Sequence, residues 1–212
     1  MKAHKYIIFD FDGTIADTVD WAMNIFNKIA SEFNIQPLEA RERDLIRSKR
    51  PQELLKSFGV TGLQLTSVVI RLRKEMSHAI SHMKMVPCIN NVFREIHNLG
   101  FRLGVLTSNS KDNVKTFLEN NDLIDIFDFI YSEKNIFGKK TAINRMLTPE
   151  KISKQNVIYV GDETRDIEAS KKAGIPVIAV TWGLNDKQIL ATAQPNQIID
   201  APEELLACIK NM

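Results

Sequence analysis

Apolar and polar positions fall into two rhythms along the chain. Tyr6-Ile7-Ile8-Phe9 is an unbroken apolar run stopped by Asp10, and runs of this kind suit a parallel strand covered on both faces. Three further runs match it: Leu103 to Leu106 ending at Thr107, Val157 to Val160 ending at Gly161-Asp162, and Val177 to Val180 ending at Thr181. Between them apolar residues recur at helical spacing. Asn91 to Leu99 is closed by Gly100, Lys111 to Asn120 follows, and Glu163 to Ala173 is closed by Gly174. Glycine at those ends suits a helix C-terminus. Strands alternating with helices predict an α/β core with a doubly wound, Rossmann-like parallel sheet.

Residues 18–85 break the alternation. Asp20 to Phe33, Leu38 to Arg47, Pro51 to Phe58 and Leu63 to Met83 all show helical periodicity, and no convincing strand lies among them. The pattern predicts a core formed by residues 1–16 and 86–212, with residues 17–85 inserted after the first strand as an all-helical cap. No repeat or low-complexity tract interrupts this division.

The 212 residues are 44% hydrophobic and 25% charged, a balance that allows a sizeable buried core. A formal net charge of +2 gives no field that would favour nucleic acid or a membrane surface, so any preference for anions must be local. No segment reads as a secretion signal or a bilayer span. Cys88 and Cys208 stand apart from each other and from any metal-binding cluster, which fits a reducing, cytoplasmic setting.

In an open parallel sheet, ligands bind outside the carboxyl ends of the strands. The polar residues at those ends are Asp10 and Asp12, Thr107 and Ser108, and Asp162 and Glu163, with Asp166 one turn later. Carboxylates converging from distant segments repel, and a divalent cation relieves the repulsion; Mg2+ is the oxygen-seeking choice that also binds substrate phosphate. Beside such an ion Asp10 can act as a nucleophile toward a phosphoryl group. Asp12 can give a proton to the leaving oxygen and then take one from water. Gly13 permits a sharp turn that brings backbone N–H groups close to the phosphoryl oxygens, while the Thr107 and Ser108 hydroxyls and a fixed ammonium complete the cradle. Lys139 is the candidate ammonium, with Lys140 beside it.

Asp10-Phe11-Asp12-Gly13-Thr14, Leu106-Thr107-Ser108-Asn109, Phe137-Gly138-Lys139 and Val160-Gly161-Asp162-Glu163-Thr164-Arg165-Asp166 resemble, in order, the four motifs of the haloacid dehalogenase superfamily. The helical insertion is similar to the small cap of its phosphoglycolate phosphatase and β-phosphoglucomutase branch. Thr181-Trp182-Gly183-Leu184 and Asp200 to Leu205 resemble the C-terminal part of that branch. The resemblance implies a phosphatase acting on a small phosphorylated metabolite, with Mg2+ as cofactor; the sequence leaves a monomer or homodimer open as the working form. The resemblance also implies Asp10 as nucleophile and metal ligand, Asp12 as acid and base with its backbone carbonyl on the metal, and Thr107 and Lys139 on the phosphate. Asp162 and Asp166 are implied as metal-side carboxylates. Glu163 departs from the Ser or Thr often found at its position.

Other features divide between two readings. Arg47, Lys49 and Arg50 form either a solvated helix end or a cap surface that recognises a second anionic group on the substrate. His78 and His82, one turn apart, read as a structural pair because no third ligand accompanies them. Met76, Met83 and Met85 read as cap or hinge packing, and Trp21 and Trp182 as core or interface residues. A sugar-phosphate mutase would use the same aspartates. A phospho-accepting receiver module would share a strand-end Asp, a Thr and a Lys, but such modules lack a helical insertion.

Overall fold

The computed structural model describes residues 5–39, 42–50, 53, 57, 59–60, 62–133, 139–149 and 152–212. Among these residues six strands form one parallel sheet: β1 (Tyr6–Phe9), β2 (Arg102–Thr107), β3 (Phe127–Ser132), β4 (Val157–Gly161), β5 (Val177–Val180) and β6 (Gln197–Ile199). Their spatial order is β3-β2-β1-β4-β5-β6, with every neighbouring pair parallel. The first strand of the chain therefore lies inside the sheet, and the doubly wound α/β expectation holds.

Each face of the sheet carries its own apolar layer. Side chains alternate along a strand, so Ile7 and Phe9 of β1 join one layer and Ile8 joins the other. The first layer collects Leu103, Val105, Ile158, Val160, Ile178 and Val180 beneath helices Ile89–Asn98, Lys111–Asn120 and Leu205–Lys210. Phe9, Phe93 and Phe127 meet edge to face within it, at ring separations of 4.8 Å for Phe9–Phe93 and 5.3 Å for Phe93–Phe127. The second layer sets Leu106, Val157, Tyr159, Val177 and Ala179 against helices Lys139–Leu147, Thr164–Ala173 and Lys187–Thr192.

In chain order the helices are α1 (Val19–Ala30), α2 (Arg43–Arg47), α3 (Gly62–Ala79), α4 (Ile89–Asn98), α5 (Lys111–Asn120), α6 (Lys139–Leu147), α7 (Thr164–Ala173), α8 (Lys187–Thr192) and α9 (Leu205–Lys210). The first three lie within residues 17–85, whose apolar side chains Phe26, Ile29, Ile35, Leu38, Ile46, Val60 and Val68 form a separate cluster. The chain leaves and re-enters the sheet domain side by side. Asp17 N–H donates to the Lys84 carbonyl at 2.9 Å and Val86 N–H to Ile15 at 3.0 Å, with Ala16 paired antiparallel to Met85.

Several local expectations need correction. Of the helix expected from Leu38 to Arg47, Leu38 and Glu39 are not helical and Arg43–Arg47 is. Asn27 of α1 takes over the backbone of Leu38: its Oδ1 accepts from Leu38 N–H at 2.6 Å and its Nδ2 donates to the Leu38 carbonyl at 2.8 Å. A side chain serving both backbone groups removes the local need for a helix. The helix expected over Pro51 to Phe58 lies outside the described residues, apart from Glu53 and Ser57. Strands β3 and β6 and helices α8 and α9 were not anticipated. Cys88 and Cys208 are free thiols, and no helix among the described residues is long and apolar enough to cross a membrane.

Candidate active site

Asp10 directly follows β1 and stays in the ladder, its N–H donating to the Val160 carbonyl at 2.9 Å. Its carboxylate is buried, with Phe11 N–H on Oδ1 at 2.8 Å and the Lys139 ammonium on Oδ2 at 2.6 Å. The same ammonium meets Asp166, so Lys139 bridges the end of β1 and the start of α7. Burial works against the Lys139 charge, yet the Asp10 and Asp166 carboxylates outweigh it and raise its pKa well above the usual lysine value. Lys140, by contrast, is exposed.

Asp162 and Asp166 come from the end of β4 and the first turn of α7. Asp166 is fully buried and closes the helix start, its Oδ2 accepting Glu163 N–H at 3.0 Å where the helix dipole favours negative charge. Asp162 accepts the Thr14 hydroxyl at 2.8 Å on Oδ1 and Leu184 N–H at 2.7 Å on Oδ2. Burial raises the pKa of both acids, and each is raised further by the carboxylates around it. Lys139 opposes the shift at Asp166. Glu163 adds a buried carboxylate, paired with Arg165.

Asp10, Asp162 and Asp166 each offer a carboxylate oxygen, all within 4.8 Å of one another. Hard oxygen donors at this separation, more negative than Lys139 alone balances, match the donor chemistry of Mg2+. Gly161 is part of the fit, since a Cβ there would stand 2.5 Å from Asp166 Oδ2. Among the described residues no other His, Cys, Asp and Glu group of this kind is found, and His78 and His82 are both exposed without such company.

Asp12 is half-buried and stands apart from that cluster, with the Asn109 side-chain amide against both its oxygens. Burial first, then the neighbouring Asp10 charge, raises its pKa to about 7 despite the opposing Asn109 bond and Arg165 charge. A carboxyl so placed can both hold and release a proton near neutral pH. Gly13, expected to present backbone N–H groups to phosphate, spends its own N–H on the Ala16 carbonyl at 2.9 Å. What requires glycine there is φ of +75° together with space, because a Cβ would lie 2.8 Å from Asp162 Cγ. Thr107 is buried at the end of β2 with Oγ1 accepting Asn109 N–H at 3.0 Å, and Ser108 beside it is half-buried.

The basic trio of the helical segment is engaged with the sheet domain. Arg47 donates to the Thr181 carbonyl at 2.5 Å, its own carbonyl accepts from Asp186 N–H at 3.0 Å, and Arg50 pairs with Glu168 at 2.6 Å. Lys49 is half-buried, and its carbonyl accepts from Asn185 Nδ2 at 3.0 Å. Trp182 Nε1–H donates to the Thr14 carbonyl at 3.2 Å, which ties the loop after β5 to the turn after β1. Thr14, Asn109, Arg165 and the Leu184 amide were not singled out from the sequence, although all four lie inside motifs that were.

The pattern of the haloacid dehalogenase-like hydrolase family matches residues 7–180. The chain is 30% identical over 206 residues to a phosphoglycolate phosphatase of Synechococcus elongatus, covering 97% of both chains. It is 23% identical to pyrophosphatase PpaX of Bacillus cereus, over 97% of this chain and 96% of that one. Among solved structures, a predicted phosphatase from Clostridium acetobutylicum superposes with a TM-score of 0.86 at 22% identity over the whole of both chains. The chain therefore belongs to the haloacid dehalogenase-like hydrolase family, on its phosphoglycolate phosphatase-like branch.

Proposed function

We propose that this hydrolase is a magnesium-dependent phosphatase that takes the phosphoryl group of a small phosphate monoester onto Asp10 and then passes it to water. The observation that carries the proposal is the pairing of two unlike carboxyls with one residue between them. Asp10 is buried and held by the Lys139 ammonium, whereas Asp12 has a pKa raised to about 7 and can hold a proton.

Asp10, Asp162 and Asp166 would hold the Mg2+, with the Asp12 backbone carbonyl as a further ligand. The ion would neutralise charge on the phosphoryl oxygens and draw them toward Asp10. An Asp10 carboxylate oxygen attacks phosphorus as the P–O bond to the leaving group breaks, and Asp12 gives its proton to the departing alkoxide. Asp12, now ionised, takes a proton from the water that attacks the phospho-aspartate, releasing phosphate and restoring Asp10. The Lys139 ammonium and the Thr107 hydroxyl donate to the phosphoryl oxygens, with Ser108 at the same strand end, and so stabilise the charge of the transition state.

Relatives named for phosphoglycolate and for pyrophosphate suggest a compact substrate bearing a second anion. Residues 17–85 act as a cap that closes over it about the paired crossings at Ala16 and Met85, excluding bulk water. Turnover of phosphoglycolate and p-nitrophenyl phosphate with Mg2+ tests the proposal directly. Asp10→Asn should abolish it, and an Asp10→Asn protein with wild-type turnover would refute it.

A further inference from the structure

We infer that Asn109 is a positioning residue for Asp12, locked in that task by Asn113 and, through it, by Ser77 on α3. The inference rests on the reading of Asp12 as the proton donor proposed above.

Asn109 directs one donor at both oxygens of Asp12, Nδ2 lying 3.3 Å from Oδ1 and 3.1 Å from Oδ2. Its own Oδ1 accepts twice, from Ser110 N–H and from Asn113 Nδ2, each at 2.8 Å. The amide therefore has one workable orientation. Turning it over would set Nδ2 against two donors and Oδ1 against a carboxylate. Asn113 is fixed in turn, because Asn109 Oδ1 can only accept and so must face Asn113 Nδ2, which leaves the Asn113 Oδ1 to accept the Ser77 hydroxyl at 3.0 Å. Hydrogen-bond polarity thus runs in one sense, from Ser77 through Asn113 and Asn109 to Asp12.

The backbone of Asn109 is held as well, its carbonyl accepting from Ser132 Oγ at 2.6 Å. Its N–H donates to Thr107 Oγ1 at 3.0 Å, which leaves that hydroxyl's own proton available for the phosphoryl group of the reading above. Asn109 touches no reacting atom in this scheme. It keeps the Asp12 carboxyl aimed at the leaving oxygen, and donors fixed in advance cost no reorganisation during the reaction.

The test compares wild type, Asn109→Ala, Asn113→Ala, the double variant and Asp12→Asn on two leaving groups. One is p-nitrophenyl phosphate, whose leaving group departs as a stable anion. The other is the fastest wild-type substrate among phosphoglycolate, glycerol 3-phosphate and glucose 6-phosphate, whose alkoxide needs a proton. Asn109→Ala should lower kcat/KM by about 30-fold on the alkyl phosphate, a part of the roughly 10²–10⁴-fold that general acid catalysis supplies, and by less than about 3-fold on the aryl one. Asn113→Ala should show the same bias at roughly 5-fold, and the double variant should be no worse than Asn109→Ala, since both changes break one chain.

Equal losses of Asn109→Ala on the two substrates, with Asp12→Asn keeping the alkyl bias, would overturn the inference and leave the role of Asp12 standing. Losses that multiply in the double variant would overturn it too. No alkyl bias in Asp12→Asn would remove both. A variant that merely loosened the fold would lose activity on both substrates alike, which separates positioning from stability.

Discussion

Alanine at position 183 would drive its new methyl group into Asp162. A Cβ built there lies 2.5 Å from Asp162 Cγ and closer still to its Cβ and Oδ2, whereas carbon atoms rest at about 3.5–4.0 Å. Gly183 is not among the positive-φ residues, so the cost is steric. The carboxylate cannot move aside without loss, because Leu184 N–H, one residue on, donates to its Oδ2 at 2.7 Å. Overpacking costs about 1–3 kcal/mol, and a lost hydrogen bond to a charged acceptor about 1.5–3 kcal/mol. A combined cost of about 3–5 kcal/mol lowers Tm by roughly 6–20 °C for a chain of this length. Displacing Asp162 from the three-carboxylate group should also raise the Mg2+ concentration for half-maximal turnover by about 10-fold or more, or 1.4 kcal/mol. Thermal unfolding and Mg2+ titration of turnover measure the two effects. Gly100→Ala is the control: φ is +87° but a Cβ meets nothing within 4 Å, so only backbone strain of about 1 kcal/mol is added and the Mg2+ response stays put. A Gly183→Ala protein that matches this control in both measurements would refute the steric reasoning.

Lys139→Met removes the donor shared by Asp10 and Asp166 and should lower kcat by about 100-fold or more, while Lys140→Met, on an exposed side chain, should not; equal effects would contradict the assignment. Dialysis against a chelator should abolish turnover and added Mg2+ should restore it, and a chelated enzyme at full speed would exclude the metal reading. Glu75, hydrogen-bonded to Lys28 at 2.7 Å and to Arg71, has its pKa lowered from 4.5 to about 2. Its stabilising effect is therefore complete above pH 4.5 and disappears as pH falls through about 2. The urea midpoints of wild type and Glu75→Gln should converge across that window, and a constant gap would contradict the shift.

What could be read from the sequence follows from how each feature is encoded. Strands β1, β2, β4 and β5 are covered on both faces and so appear as continuous apolar runs. The edge strands lack that mark: β3 carries exposed Asp128, and β6 has only three residues. Asp10, Asp162 and Asp166 stood out because each acid ends or closely follows such a run. Asn109 and Leu184 did not, since their partners Asp12 and Asp162 lie 97 and 22 residues away and only folding brings them together. Gly183 was quoted within a loop motif, but its reason, room for Asp162, is legible only in three dimensions.

The interior position of β1 governs when a newly made chain can become active. Tyr6 aligns with Arg102 on one side and with Val157 on the other, so the segment leading into Asp10 leaves the ribosome long before either neighbour exists. Closing contacts that span so much of the chain is slow, and until then Ile7, Ile8 and Phe9 stay open to misassembly or to a chaperone. Chains that stop short of β4 and Asp166 lack the strand and the carboxylates that flank Asp10, so the proposed chemistry has to wait for segments made about 150 residues after β1.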